Sequence, residues 1–456
     1  MSEVDQIQCS IDIPDDKIAD WIIDDSDADA NANATTTKPP KPKIPRVPVQ
    51  VISEKQKYYV PRAVSIGPYY FKDPKLQVVQ KLKAVFTMKL LNHNKETLKI
   101  LYKKLGESHR VQELREYYEE GSITEYSNKE FAKMMLLDSC FILHFIKSLL
   151  KDEGLEELYD ENPNLFWLVY QDLLLLQNQI PFKVLKEVMS LGNICDLDQI
   201  CKFIVTIEWL DLDMIDQSET VGSAVQSAVQ DLKSGITDNE PYHLLHLLHR
   251  TRAPQAHDRR KTDYSTKSST FPNVNQLLDV GVRFKPAADD NISLDEVEFS
   301  NGCCMFSATV QLPSITLAPD DSTKLFWLNL IAYERWSVKN DAWVISYVCL
   351  LQSMISNHED VKVLKNAGVL ESFLGNDRDV VAFFDDITTD LVPRNKTYID
   401  VMDAIQGHSD DWNESAFSEF SKEYRKSPWK FISLVGAFIA LFLTAVQTYF
   451  TVWSLE

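Results

Sequence analysis

The stretch SNKEFAKMMLLDSCFILHFIKSLL, residues 127–150, decides the fold class. Ser127 and Glu130 stand three apart ahead of an apolar run. That is the spacing of a capping box, in which each side chain satisfies a backbone N–H of the other residue. Phe131, Met134, Met135, Phe141, Ile142 and Phe145 then fall on one helical face. Asp138 lies inside this apolar stretch. It reads either as half of a catalytic pair with Asp172 or as a buried hydrogen-bonder, and an acid among apolar neighbours fits the second reading better.

Helical spacing recurs on both sides. Leu76, Val79, Leu82, Val85, Phe86 and Leu90 pattern a helix over 75–93, and residues 164–190 form an apolar helical segment broken at Pro181. Further helices are predicted at 195–211, 219–233, 241–250, 322–336, 341–356, 359–365 and 376–388. Tyr58 to Tyr70 reads as extended chain ending at a Gly67-Pro68 turn. Between 292 and 317, Leu294, Val297, Phe299, Val310 and Leu312 alternate around Asn301-Gly302, the pattern of a β-hairpin. No internal repeat is visible. The fold class predicted is mainly α: a large helical globular domain with a small β-hairpin element, plus one C-terminal transmembrane helix.

The chain has 456 residues, 45% of them hydrophobic and 25% charged, with a formal net charge of -20. Such an acidic balance argues against a nucleic-acid partner, because phosphate binding relies on clustered Lys and Arg. Residues 1–37 hold ten of the acids against Lys17 alone and read as disordered. Ile11, Ile13, Ile18, Trp21, Ile22 and Ile23 lie among those acids, as a motif that folds on a partner or as part of a solvating tail. KPPKPKIPRVP, residues 38–48, reads as an extended linker. The expected organisation is a tail and linker over 1–48, a helical domain over 49–427, and an anchor with a short tail over 428–456.

The anchor is read from FISLVGAFIALFLTAVQTYFTV, Phe431 to Val452, which is 22 residues without a charge. At 1.5 Å per residue that length crosses about 30 Å of hydrocarbon. Trp429, Tyr449 and Trp453 flank it as an aromatic belt would. Lys422, Arg425, Lys426 and Lys430 precede it, so the positive-inside rule places the body in the cytosol. With no signal peptide visible, a tail-anchored protein is expected, in the plasma membrane or an endomembrane. Sequons at Asn291, Asn395 and Asn413 would matter only in the opposite orientation. Thr444, Gln447 and Thr448 share a face and bond either a partner helix or their own backbone carbonyls.

Motifs for chemistry are absent. No phosphate-binding glycine loop, no nucleophile elbow and no zinc-protease helix occurs. His243, His246 and His249 are spaced for a helix, yet the leucines between them fit a packed amphipathic helix better than a metal site. Asp24-Asp25 and Asp385-Asp386 read as solvated or capping acids rather than Mg²⁺ ligands. Seven cysteines at irregular spacing suggest neither a zinc ribbon nor a redox pair, and are expected as reduced thiols. No cofactor and no metal is expected.

Several segments together resemble the plant domain-of-unknown-function 247 family (UPF0481). They are Ser65-Ile-Gly67-Pro68, Met135-Leu-Leu-Asp138 with Cys140-Phe-Ile-Leu143, and Asp172-Leu-Leu-Leu-Leu-Gln-Asn178-Gln179-Ile-Pro181-Phe182. Gly281-Val-Arg-Phe284, Asn329-Leu-Ile-Ala-Tyr-Glu334, Ser346-Tyr347, Asp360-Val-Lys-Val-Leu364 and Pro428-Trp429 follow. Gln177 departs from the family pattern, which usually has Glu there. The resemblance implies a plant membrane-associated protein with no established enzyme activity. Some grass members of the family are associated with self-incompatibility as candidate pollen-side determinants.

The expected function is therefore a non-enzymatic, membrane-anchored recognition or signalling protein acting through protein–protein contacts, with a self-incompatibility determinant as its sharpest form. The alternatives are an enzyme using Asp138, Asp172 or Glu334, and a scaffold that forms homo-oligomers through the Thr444 face.

Overall fold

The computed structural model describes residues 43–453 apart from 152–153, 156–157, 159–162, 192–193, 208–218, 254–270, 288–292, 303–306, 337–341, 392–396 and 415–427. The acidic tail, Cys9, Cys303, Cys304, Asn291, Asn395, Lys422, Arg425 and Lys426 lie outside the described residues, as does the side chain of Asn413.

The chain enters through α1 (Val49–Tyr59), runs without regular structure to a 3-10 turn at Pro74–Leu76, and continues into α2 (Gln77–Leu90), α3 (Lys95–Leu105) and α4 (Ser108–Arg115). The central helix is α5 (Asn128–Leu149). Its capping box forms as the sequence requires: Glu130 N–H donates to Ser127 Oγ at 3.2 Å, and Ser127 N–H donates to the Glu130 carboxylate at 2.9 Å. Between Phe131 and Ile146 nearly every side chain of α5 is buried, so it is a core helix rather than a surface amphipath. It packs on α2, α3, α4 and α7 (Phe182–Met189), with Phe86 and Phe141 stacked at 5.5 Å.

Helix α6 (Pro163–Asp172) precedes α7. The expected helix over 164–190 is interrupted by more than Pro181: residues 173–181 are non-helical, because side chains of that stretch turn inward to bond backbone groups (below). Then come α8 (Leu197–Thr206), α9 (Glu219–Asp238), α10 (Leu244–Arg252) and α11 (Val274–Asp279).

The hairpin forms, within a larger sheet. β1 (Val282–Pro286), β2 (Glu298–Asn301) and β3 (Ala308–Leu312) lie in the order β1-β3-β2. β2 and β3 are antiparallel with Phe299 opposite Val310, and β1 adds parallel to β3. Gly302 N–H donates to Ser307 O at 2.7 Å, so the connection is longer than a two-residue Asn-Gly turn. β4 (Ile315–Leu317) pairs in parallel with β5 (Leu370–Ser372), a sheet too short to show period-2 patterning. The rest is helical: α12 (Ser322–Trp336), α13 (Trp343–Met354), α14 (His358–Asn366), α15 (Asp377–Thr388), α16 (Ile399–Glu414) and α17 (Pro428–Trp453).

Two expectations change. A helix does occupy Pro428–Trp453 and contains Phe431 and Val452, but the transmembrane element of the predicted fold is not supported. Among the described residues no helix is long and apolar enough to cross a membrane. Thr444 and Thr448 donate to Ala440 O and Thr444 O, at 2.7 and 2.8 Å, which is the own-backbone alternative.

The second change is at the Pro-Lys stretch, which from Lys43 is a docked strap. Ile44 and Val47 are buried in the main core. Ile44 N–H donates to Tyr117 O at 2.8 Å, Ile44 O accepts from Tyr69 Oη at 2.8 Å, and Arg46 lies over the Tyr69 ring. Prolines exclude helix here, not docking.

Candidate functional site

Of the residues that carry the family resemblance, those from Ser65–Pro68, Asp138, Asp172–Phe182, Asn329 and Glu334 line one buried polar seam, and the others lie elsewhere in the fold. The centre of the seam is the segment Arg62–Pro68, which has no ladder partner for its amides. Asp172, the last residue of α6, turns its carboxylate onto three consecutive N–H groups: Arg62 at 3.0 Å, Ala63 at 2.7 Å and Val64 at 2.9 Å. Burial pushes this carboxyl up to about 7, against the downward pull of those amides. Asn178 Oδ1 accepts from Ile66 N at 2.6 Å, while its amide donates to Val64 O and Asp172 O. Gly67 N–H donates to Asp138 Oδ2 at 2.7 Å. Arg62, Ala63, Val64, Ile66 and Gly67 of an irregular segment thus receive side-chain partners in place of a sheet or helix.

Asp138 also pairs with Lys83 of α2, and both are fully buried. Lys83 Nζ donates to Ser65 O as well. Burial pushes the Asp138 carboxyl up and the Lys83 ammonium down, and their mutual attraction opposes both shifts. Gly67 has φ +76, and a Cβ there would stand 2.5 Å from Gln179 O, which already accepts from Tyr118 Oη at 3.1 Å. Only glycine fits that position.

Gln179 links the seam to the histidine helix. Its amide donates to Leu173 O and Leu175 O, and its Oε1 accepts from Leu245 N of α10 at 3.2 Å. The three histidines are not a metal cluster. His243 is the N-cap of α10, accepting from His246 N through Nδ1 at 3.2 Å. His246 Nδ1 accepts from Tyr242 N at 2.9 Å, and His249 Nε2 meets Glu334 Oε1 at 2.7 Å. Burial, first of all, holds His243 down at about 3 and His246 at about 2, so both are neutral. Among the described residues no group of three or more His, Cys, Asp or Glu is arranged to hold a metal ion.

Glu334 of α12 closes the seam. Beside His249, its oxygens accept from Val344 N and Ile345 N at 2.9 Å each. Those are first-turn amides of α13, whose N-cap position is Ala342 with no side-chain bond. Glu334 is therefore a cap supplied from another helix. Pro68 O accepts from Tyr126 Oη at 3.0 Å. Pro181 stands at the N-cap of α7, and Phe182, fully buried, donates its N–H to Tyr242 O at 2.8 Å. Gln177 is buried too. Its Oε1 faces Tyr70 Oη at 3.4 Å, and its amide nitrogen has no partner among the described residues.

Sequence reasoning missed Lys83, and named Asn329 only as part of a family motif, without its role. Lys83 sits on the Val79-Leu82-Phe86 stripe of α2, where a lysine facing the core needs an acid, and that signal was readable. Asn329 bonds Leu325 O one turn back, and Leu176 N and Tyr58 O, two partners that no local spacing announces. A cavity of about 410 Å³ opens elsewhere, beside α13, α15 and α16, and none of the motif acids lines it.

The seam and its helical frame define a class: an α-helical protein whose acids, amides and histidines hold irregular backbone inside the core. The family model described as "Plant protein of unknown function" (DUF247) matches residues 44–443, and the chain belongs to that family. It is 24% identical over 434 residues to the UPF0481 protein At3g47200 of Arabidopsis thaliana, covering 88% of this chain and 84% of that one. It is 22% identical over 492 residues to the Putative UPF0481 protein At3g02645 of Arabidopsis thaliana, covering 90% of each. No solved structure matches the chain.

Proposed function

We propose that this protein performs no chemistry of its own and acts as a recognition or signalling protein through protein–protein contacts. One observation carries the reading. Asp138, Asp172 and Glu334, the acids that a catalytic role would need, are buried and bonded to backbone amides, with a buried lysine or histidine beside two of them. A carboxylate so engaged is an element of folding, and a substrate has no path to it without local opening. What the fold leaves to the outside is surface.

Proximity labelling from the tagged full-length chain in its native tissue tests this. A reproducible set of protein neighbours is expected. A neighbour set no different from a free-tag control, together with turnover of a small molecule by the purified chain, would overturn it. The narrower reading, a pollen-side self-incompatibility determinant, rests on the family alone. High allelic polymorphism co-segregating with pollen specificity would support it, and near-identity between individuals would end it.

A further inference from the structure

One stretch of this acidic protein is strongly basic. Residues 72–105 carry nine lysines against two acids, Asp73 and Glu96, in a chain of net charge -20. Lys83 is consumed in the core, but Lys72, Lys75, Lys81, Lys95, Lys99, Lys103 and Lys104 are exposed. Lys72 pairs with Glu125 and Lys99 with Glu96. Lys75, Lys81, Lys103 and Lys104 have no ion pair among the described residues. On α3, Lys95, Lys99 and Lys103 recur every four residues, a like-charge stripe that weakens an isolated helix. Beside it Ile100 is 57% exposed.

The chain carries the complement of this stretch nearer its N-terminus. Residues 12–29 hold Asp12, Asp15, Asp16, Asp20, Asp24, Asp25, Asp27 and Asp29, with Ile18, Trp21, Ile22 and Ile23 among them. The strap fixes where that segment starts from the body. Lys43 lies over the Tyr117 ring at 4.1 Å, just past α4, and α4 packs on α3. Seventeen residues lie between Asp25 and Lys43, enough for a coil to span roughly 25 Å. Sign, apolar content and tether therefore agree.

We propose that the acidic segment 12–29 docks in cis on the lysine-rich exposed surface of α3, its carboxylates against Lys95, Lys99, Lys103 and Lys104 and its Trp21-Ile22-Ile23 cluster against Ile100. This goes beyond the proposed partner-recognition role and does not depend on it.

Zero-length carbodiimide coupling on the full-length protein, read by peptide mass spectrometry, tests the contact, because it joins only carboxylates and amines that touch. Amide links from the 12–29 acids to α3 lysines within one chain are expected. They fall about five-fold or more at roughly 0.5 M salt, where screening shortens to a few ångströms. They fall likewise in D15N/D16N/D20N/D24N/D25N, whose substitutions lie outside the described residues. K99Q/K103Q/K104Q, checked for an unchanged urea midpoint, removes them from the other side. Even coupling to lysines on other faces such as Lys285, absence of coupling, or links found only between isotopically labelled and unlabelled chains would overturn the proposal.

Discussion

Lys83 Nζ stands 2.5 Å from Asp138 Oδ1 in the interior between α2 and α5, and neither side chain reaches solvent. The pair also carries Ser65 O and Gly67 N–H, so it fixes the irregular segment as much as it joins two helices. Removing one partner strands the other. Asp138→Ala is expected to cost about 3–5 kcal/mol in urea unfolding. The double variant K83M/D138L, which leaves no buried charge, should cost clearly less than the single one despite the lost Gly67 acceptor. Equal losses would mean that the pair is not the reason these residues are there.

Gly67 and Gly121 separate two reasons for a glycine. Both have positive φ, +76 and +79, but a Cβ at Gly67 meets Gln179 O at 2.5 Å while one at Gly121 meets nothing within 4 Å. Gly121→Ala should cost about 1–2 kcal/mol, the backbone penalty alone. Gly67→Ala should cost a further 1–3 kcal/mol or so, because Gln179 O is a backbone atom already held by Tyr118 and cannot step aside. Comparison of the two urea midpoints checks this, and equal costs would remove the close approach as a cause.

How much of this was readable depends on distance along the chain. The capping box at Ser127 and Glu130 is a local device, and the structure forms it as written. Asp138 and Asp172 were legible as structural acids because an acid inside an apolar run needs partners, but not which partners. Asn329 reaches Leu176, 153 positions away, and no periodicity encodes such a pairing. The same holds for Glu334 and the start of α13, because a cap usually comes from the preceding residue rather than from another helix. β4 and β5, three residues each and far apart in the chain, carry no pattern of their own. Composition reports what prolines forbid and is silent on where Ile44 and Val47 pack, so the strap reads as a linker in sequence.

The Glu334 cap gives a graded test. Glu334→Ala orphans two first-turn amides of α13 and the His249 donor in one step, and is expected to cost about 3–5 kcal/mol. Glu334→Gln keeps one acceptor and should recover part of that loss. Hydrogen exchange localises the effect. The amides of Val344 and Ile345 should lose protection in Glu334→Ala before those of α5, and uniform loss over the chain would argue against a capping role.

His243 and His246, both held neutral by burial, make the fold acid-sensitive, and the share of His243 can be tested singly. His243 Nδ1 accepts from His246 N–H, so its proton sits on Nε2, facing Lys43 O at 3.2 Å. Lys43, His246, His249 and Tyr333 surround it, and burial holds it neutral, down at about 3. A histidine whose folded pKa is depressed contributes stability that is present above its unfolded value, about 6.5, and is lost as pH falls toward the folded one. Between about pH 6.5 and 5 this single group should remove about 2 kcal/mol, because the unfolded chain binds the proton that the folded chain refuses. His243→Asn keeps a capping oxygen for the His246 amide and has nothing to titrate. It should cost about 1 kcal/mol at pH 7.5, through the lost Lys43 contact. The deficit should shrink or reverse by about pH 5 as the wild-type chain weakens. Urea midpoints measured at both pH values decide it: converging curves support a neutral buried cap, and parallel curves would mean that His243 titrates alike in both states.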